Sequence, residues 1–278
     1  MKLTYLGTAA AEGWPAVFCN CEYCIRAKEL GGKNIRTRSQ TLINDDFLIE
    51  FNGDTYSHML DNKLDISKVR FCFITHSHLD HFQPTDLVFR ETNCYSHNMA
   101  EPTVKIYGNK AVNEKYKKYL HAIGDEERPP MAEIFEISAF QRLCVGDYTV
   151  TPLPANHAEG EDAFVFLIEN KGKTVLYLHD TGLLSEEVYD YLESHKIRAD
   201  LISYDCTYVA LRSGGGHMGL DSVPIVRERL ERIGVSHADT ISIVNHFSHN
   251  GMLLHDELKE AAEKIGFLTS YDGMAVEF

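Results

Sequence analysis

The chain has 278 residues, 44% of them hydrophobic and 24% charged, which suits a soluble globular protein with a sizeable core. Its formal net charge of -14 excludes bulk electrostatic capture of nucleic acid and favours solubility. No apolar run approaches the roughly 20 residues that cross a bilayer, and the start of the chain reads as a short alternating strand instead of a signal peptide.

In chain order, a strand near Leu3–Leu6 enters a Gly/Ala/Pro loop that leads to Cys19, Cys21 and Cys24. A short helix from Cys24 to Leu30 stops at Gly31-Gly32. Thr41–Asn44 and Phe47–Phe51 form a hairpin, and a helical segment near Thr55–Leu60 precedes a strand at Val69–Ile74. Pro84 opens a helix through Arg90. Glu91–Pro102 is irregular, Val104–Tyr107 is a strand, and Asn109 caps a helix to about His121. Gly124 to Pro130 is a charged turn. Strands follow near Glu133–Ile137, Tyr148–Pro152, Phe164–Glu169 and Val175–Leu178, with a hairpin signal at Lys171-Gly172-Lys173. Ser185 starts a helix, Leu201–Tyr204 is a strand, and Asp221 is read as the cap of a helix to about Ile233. Thr240–Val244 is a strand, Leu254–Ile265 a helix and Met274–Phe278 the last strand. With no repeat and no linker, residues 1–278 read as one domain. Strand-rich halves, each followed by helices, predict two face-to-face sheets with helices outside: an α/β protein built as a four-layer αββα sandwich.

The seven cysteines are odd in number. Cys72, Cys94, Cys144 and Cys206 are scattered, and Cys72 and Cys206 lie in apolar runs as small buried hydrophobes. The crowded trio fits a metal-binding loop in a reducing cytosol better than a disulfide framework.

The densest chemical signal is Thr75-His76-Ser77-His78-Leu79-Asp80-His81, directly after an apolar strand. In an extended chain His76 and His78 point to one side, while Asp80 and His81 come from the turn. Downstream, His157, Asp180 and His246 each follow a strand end, where a sheet delivers residues to a common edge. Five histidines and two aspartates are too many for one ion, since a zinc takes about four ligands. They suit two ions sharing a carboxylate, and Asp180 is the best bridge because each of its oxygens can serve one metal.

These residues resemble the metallo-β-lactamase superfamily: His76, His78, Asp80 and His81 match its His-x-His-x-Asp-His motif, and His157, Asp180 and His246 follow in its order. The resemblance implies an αββα sandwich with a dinuclear site at one edge. It places His76, His78 and His157 on one ion, Asp80, His81 and His246 on the other, and Asp180 between them. Cys19-x-Cys21-x-x-Cys24 is similar to the PhnP-type branch, phosphodiesterases that open a ribosyl 1,2-cyclic phosphate. That branch implies a structural zinc loop around residues 19–24 with His249 as fourth ligand, close enough to His246 to fix its loop. A redox trio and an iron–sulfur cluster are the alternatives at these cysteines. His217 follows Gly214-Gly215-Gly216, where glycines permit close approach of a ligand, and the resembling enzymes carry a substrate-contacting histidine at the corresponding place. Asp80 and His217 are therefore the expected catalytic residues. Tyr208 and Arg212 are candidate pocket residues, and His179 is expected to be buried or to support the ligands.

The sequence thus points to a cytoplasmic metallohydrolase with two Mn or Zn ions and one structural Zn. Its expected substrate is a small cyclic or ribosyl phosphodiester opened by a metal-activated hydroxide, and a homodimer is expected by analogy. The rival readings are tRNA 3′-end processing, lactone or thioester hydrolysis, and a non-enzymatic metal or redox sensor. The first lacks a basic or Gly/Pro-rich arm for tRNA, and the last does not need seven ligands.

Overall fold

Side chains that alternate along a strand bury one set on each face of a sheet, and that alternation builds the layers here. A computed structural model describes residues 1–91, 94–124 and 132–278. The chain runs β1 (Lys2–Gly7), α1 (Glu22–Leu30), β2 (Gln40–Ile43), β3 (Phe47–Ile49), α2 (Thr55–Asp61), β4 (Phe71–Phe73), β5 (Val104–Gly108), α3 (Lys110–Ile123) and β6 (Ala132–Glu136). The second half runs β7 (Leu143–Val145), β8 (Tyr148–Pro154), β9 (Phe164–Asn170), β10 (Lys173–Leu178), α4 (Glu186–Ser194), β11 (Leu201–Asp205), α5 (Val223–Arg232), β12 (Ile241–Asn245), α6 (His255–Lys264), β13 (Leu268–Thr269) and β14 (Ala275–Glu277).

Among the described residues these strands form two sheets, in the orders β14-β1-β2-β3-β4-β5-β6 and β13-β12-β11-β10-β9-β8-β7. Each is half antiparallel, built from hairpins, and half parallel, built from crossovers: β3 to β6 run parallel in the first, β10 to β13 in the second. Phe47, Phe73, Phe166 and Tyr177 fill the space between the sheets, with Phe73 meeting Phe166 edge-on at 5.6 Å. The alternate residues Leu48, Cys72 and Ile106 face outward to Val112 and Tyr116 of α3. On the other side Leu176, Leu178, Ile202 and Val244 meet Val188 of α4, Leu230 of α5 and Leu258 of α6. Three separate apolar layers make the four-layer αββα sandwich that the sequence predicts.

Local signals explain most element ends. Lys171 and Gly172 both have positive φ, 50° and 78°, as the two-residue hairpin between β9 and β10 requires. Asn109 caps α3 by accepting from the Val112 N–H at 3.0 Å, and Gly124 ends it in a left-handed conformation. The turn expected from Gly124 to Pro130 lies, past Gly124, outside the described residues. Pro84–Arg90 is a helix opened by Pro84 as expected, in the 3₁₀ form. Two expectations change. Ser222, not Asp221, precedes α5, because the Asp221 carboxylate is engaged by the Ser213 N–H and hydroxyl. The short strands β7 and β13 have no counterpart in the sequence reading; two or three residues are too few to show a period. No helix among the described residues is long and apolar enough to cross a membrane.

Candidate metal centre

β8, β10, β11 and β12 point the same way, and their C-terminal ends meet the loop after β4 at one edge of the sandwich. The β4 loop delivers His76, His78, Asp80 and His81; His157 follows β8, Asp180 follows β10 and His246 follows β12. The donor atoms of His76, His78 and His157 lie within 4.8 Å of one another, and so do those of Asp80, His81, Asp180 and His246. Asp180 stands between the sets. Its Oδ2 is 3.6 Å from His76 Nε2, 3.8 Å from His157 Nε2 and 2.5 Å from His81 Nε2, while its Oδ1 is 3.5 Å from His246 Nδ1. All seven expected ligands therefore converge.

The outer nitrogens of four of these histidines are already held. His76 Nδ1 is 2.9 Å from Thr75 Oγ1, His81 Nδ1 is 3.2 Å from Glu50 Oε1, and His246 Nδ1 is 2.8 Å from Thr207 Oγ1. His157 Nδ1 donates to the Gly216 carbonyl at 3.2 Å, which leaves its Nε2 with a bare lone pair. Fixing one imidazole nitrogen this way aims the other inward, as metal-binding histidines require. His157 Nε2, His246 Nε2 and Asp180 Oδ1 are buried there without any hydrogen bond. An orphaned buried polar atom costs about 1–3 kcal/mol, and three of them spread over these two adjoining groups fit bound cations.

Backbone and charge tell the same story. Asp180 and His246 adopt left-handed backbone, φ 54° and 66°, which strains a side-chain-bearing residue and persists only where its surroundings hold it. The Asp180 N–H donates to Asp205 Oδ2 at 3.0 Å, and the Phe247 N–H donates to the Thr8 carbonyl at 2.9 Å. Burial pushes the Asp180 carboxyl up, but the charges of His246 and His81 outweigh it and hold it well below the usual range. Burial opposes charge on His81, yet Asp80, Asp180 and Glu50 raise its proton affinity well above that of an ordinary imidazole. The carboxylates thus demand a positive charge at this point, and metal cations would meet the same demand.

Two supporting acids were not singled out in the sequence. Glu50 is fully buried with φ 70°, and Asp205 is fully buried at the end of β11. A signal exists for both: Glu50 interrupts an apolar strand, and Asp205 ends its strand next to Cys206 much as Asp180 follows β10. Asp205 lies in a group with Asp180, His217 and His246 whose donor atoms are within 4.8 Å of each other. His217 Nδ1 is 3.2 Å from Asp180 Oδ1 and 3.3 Å from Asp205 Oδ2. Burial lowers its pKa, but the Asp205 hydrogen bond and the charges of Asp205 and Asp180 raise it to about 9. The glycine run before it has a steric reason, since a Cβ at Gly216 would stand 2.9 Å from His157 Nδ1. Tyr208 lines the cleft as expected; Arg212 is exposed and does not. His179 is buried, bonded through Nε2 to Ser203 Oγ at 2.6 Å.

Beside this centre, Cys19, Cys21, Cys24 and His249 bring their donor atoms within 4.8 Å of one another, and the cysteines are free thiols. His249 Nδ1 is 3.6 Å from Cys21 Sγ and 3.9 Å from Cys19 Sγ. A tetrahedral zinc with ordinary bond lengths spaces sulfur and nitrogen at about 3.6 Å. Burial opposes the Cys21 thiolate, but the Cys24 N–H and His249 pull its pKa down to about 6, toward the form that binds metal. His246 and His249 share one loop, so the two groups are mechanically joined.

An αββα sandwich with converging histidines and aspartates at one sheet edge defines the metallo-β-lactamase fold. The family described as the β-lactamase superfamily domain matches residues 51–238, and the chain belongs to it. Similar solved structures include a diphosphatase of the PhnP family, with 20% identity, TM-score 0.76 and coverage of 100% of this chain and 96% of that one. The Zn(2+)-bound PqqB of Methylobacterium extorquens has 16% identity, TM-score 0.76 and full coverage of both chains at 100%. The short form of human tRNase Z has 17% identity, TM-score 0.66 and coverage of 100% and 99%. No curated protein matches the sequence.

Proposed function

We propose that the protein is a metal-dependent phosphodiesterase acting on a small cyclic or ribosyl phosphate. The observation that carries this reading is Asp180, whose two oxygens face two histidine groups inside one cleft of ≈ 500 Å³. That volume suits a sugar phosphate or one nucleotide. His76, His78 and His157 would hold one ion, Asp80, His81 and His246 the other, with Asp180 shared. Divalent ions bound there lower the pKa of water toward neutrality and offset the charge on phosphate. Asp80 Oδ2 lies 2.9 Å from His81 Nε2, the spacing of two donors that would share one ion. Asp205 holds His217 by Nδ1 beside the Asp180 carboxylate, which leaves Nε2 to bind the phosphate or hand a proton to the leaving oxygen. Cys19, Cys21, Cys24 and His249 would hold a separate zinc that keeps the His246 loop in place.

The test is metal content by mass spectrometry, followed by a screen of cyclic phosphates against linear diesters such as bis(4-nitrophenyl) phosphate. Metal-dependent turnover with a preference for small diesters is expected. Metal-loaded protein that cleaves none of them sinks the reading, and release of a 3′ trailer from precursor tRNA replaces it.

A further inference from the structure

Apart from its histidines, the cleft is lined by charges of one sign. Its described walls include Asp80, Asp180 and Glu12, together with Thr207, Tyr208, Ser248 and Asn250, but no lysine or arginine. Asp80 and Asp180 belong to the candidate metal centre. Glu12 does not. It sits on the loop after β1, its side chain 32% exposed, with Oε1 accepting from the Ser248 hydroxyl at 2.5 Å and 3.8 Å from His249 Nε2. Oε2 makes no hydrogen bond among the described residues. An ionised carboxylate can only accept, so the free oxygen welcomes a donor and repels an anion.

We infer that Glu12 sets the substrate class: an ester with a single phosphate whose alcohol part is neutral and rich in hydroxyls, such as an otherwise unphosphorylated sugar or polyol. This rests on the reading that the cleft holds phosphate. The phosphate answers the cations expected at Asp180, and one hydroxyl of the sugar donates to Glu12 Oε2. A second phosphate on the same sugar meets the Glu12 carboxylate and no lysine or arginine. A hydrogen bond to a charged group is worth enough to change affinity about tenfold or more.

The test is calorimetric binding of three probes to the metal-loaded protein: methyl phosphate, glycerol 1-phosphate and glycerol 1,3-bisphosphate. Wild type is expected to favour glycerol 1-phosphate over each of the others by about tenfold. Glu12→Gln keeps the side-chain size and an oxygen for Ser248 but loses the charge, and it should bring the bisphosphate to within about threefold of glycerol 1-phosphate. A wild type that binds the bisphosphate as tightly as the monophosphate overturns the inference, and so does a Glu12→Gln variant that weakens all three probes equally, which marks a purely structural role through Ser248. Absence of binding by every probe also overturns it. Hydrolysis of bis(4-nitrophenyl) phosphate is measured in parallel. Discrimination without hydrolysis leaves Glu12 in its role and removes the phosphodiesterase; hydrolysis without discrimination does the reverse.

Discussion

At the scale of single residues, the centre depends on how each ligand is held as much as on which ligands are present. Asp180 faces both histidine groups, so Asp180→Ala should strip bound metal and reduce diester hydrolysis by at least about 100-fold while the far-UV circular dichroism stays native. Full activity in that variant removes the bridging role. Glu50 holds His81 through Nδ1 and itself accepts from the Thr75 N–H, so Glu50→Gln should weaken metal affinity by about 10- to 100-fold without deleting a ligand, as read by competition with a chromogenic chelator. The seven converging residues were legible because histidines and aspartates after strand ends are chemically conspicuous. Glu50 and Asp205 were not, because their significance lies in burial and in which imidazole nitrogen they face. Neither property has a spacing in the sequence.

At the scale of elements, the loop from His246 to His249 links two groups of donors. Cys21→Ser should lose one zinc per chain and raise amide hydrogen exchange across residues 246–251, because the trio anchors that loop through His249. An unchanged metal count shows that the trio binds nothing. The glycine run before His217 acts by what it lacks. Gly216→Ala places a methyl 2.9 Å from His157 Nδ1, so His157 must shift, and metal affinity should fall although no ligand is changed. The hairpin at Lys171-Gly172 and the Asn109 cap were legible since each is local chemistry. Asp221 misled because a carboxylate just before a helix satisfies two patterns, a cap and a loop clasp, and only the position of Ser213 chooses between them.

At the scale of the molecule, the αββα layering was legible from alternation, whereas the pairing of strands from distant parts of the chain was not. Acid should test how the layers are held. His58 is buried between Gln40 and Thr37, and burial pushes its pKa down to about 4. His255 lies 3.0 Å from an Arg36 nitrogen and is lowered to about 4 by burial and by Arg36. Both are neutral in the fold but take up a proton near 6.5 when unfolded, so the unfolded chain binds more protons in between. Their stabilisation is complete above that value and is lost as pH falls toward 4, by about 3 kcal/mol each at most. Urea melts at pH 7 and pH 5 check this: His58→Gln should lose less stability between the two than wild type. Chelation should also lower the melting temperature, by an amount set by free metal relative to its dissociation constant.

The Ala10 N–H donates to the Phe247 carbonyl, and β1 pairs with β14. Segments far apart in sequence are therefore brought together, with Ala10 beside Phe247 and β1 beside β14. During synthesis β1 waits for β14, and the β4 loop carries its histidines without His246 opposite them until β12 has emerged. Such distant pairing makes folding slow and leaves sheet edges open meanwhile. Metal supplied before then would meet an incomplete set of donors, so productive loading belongs after His246 has emerged, and refolding yields should depend on when metal is added.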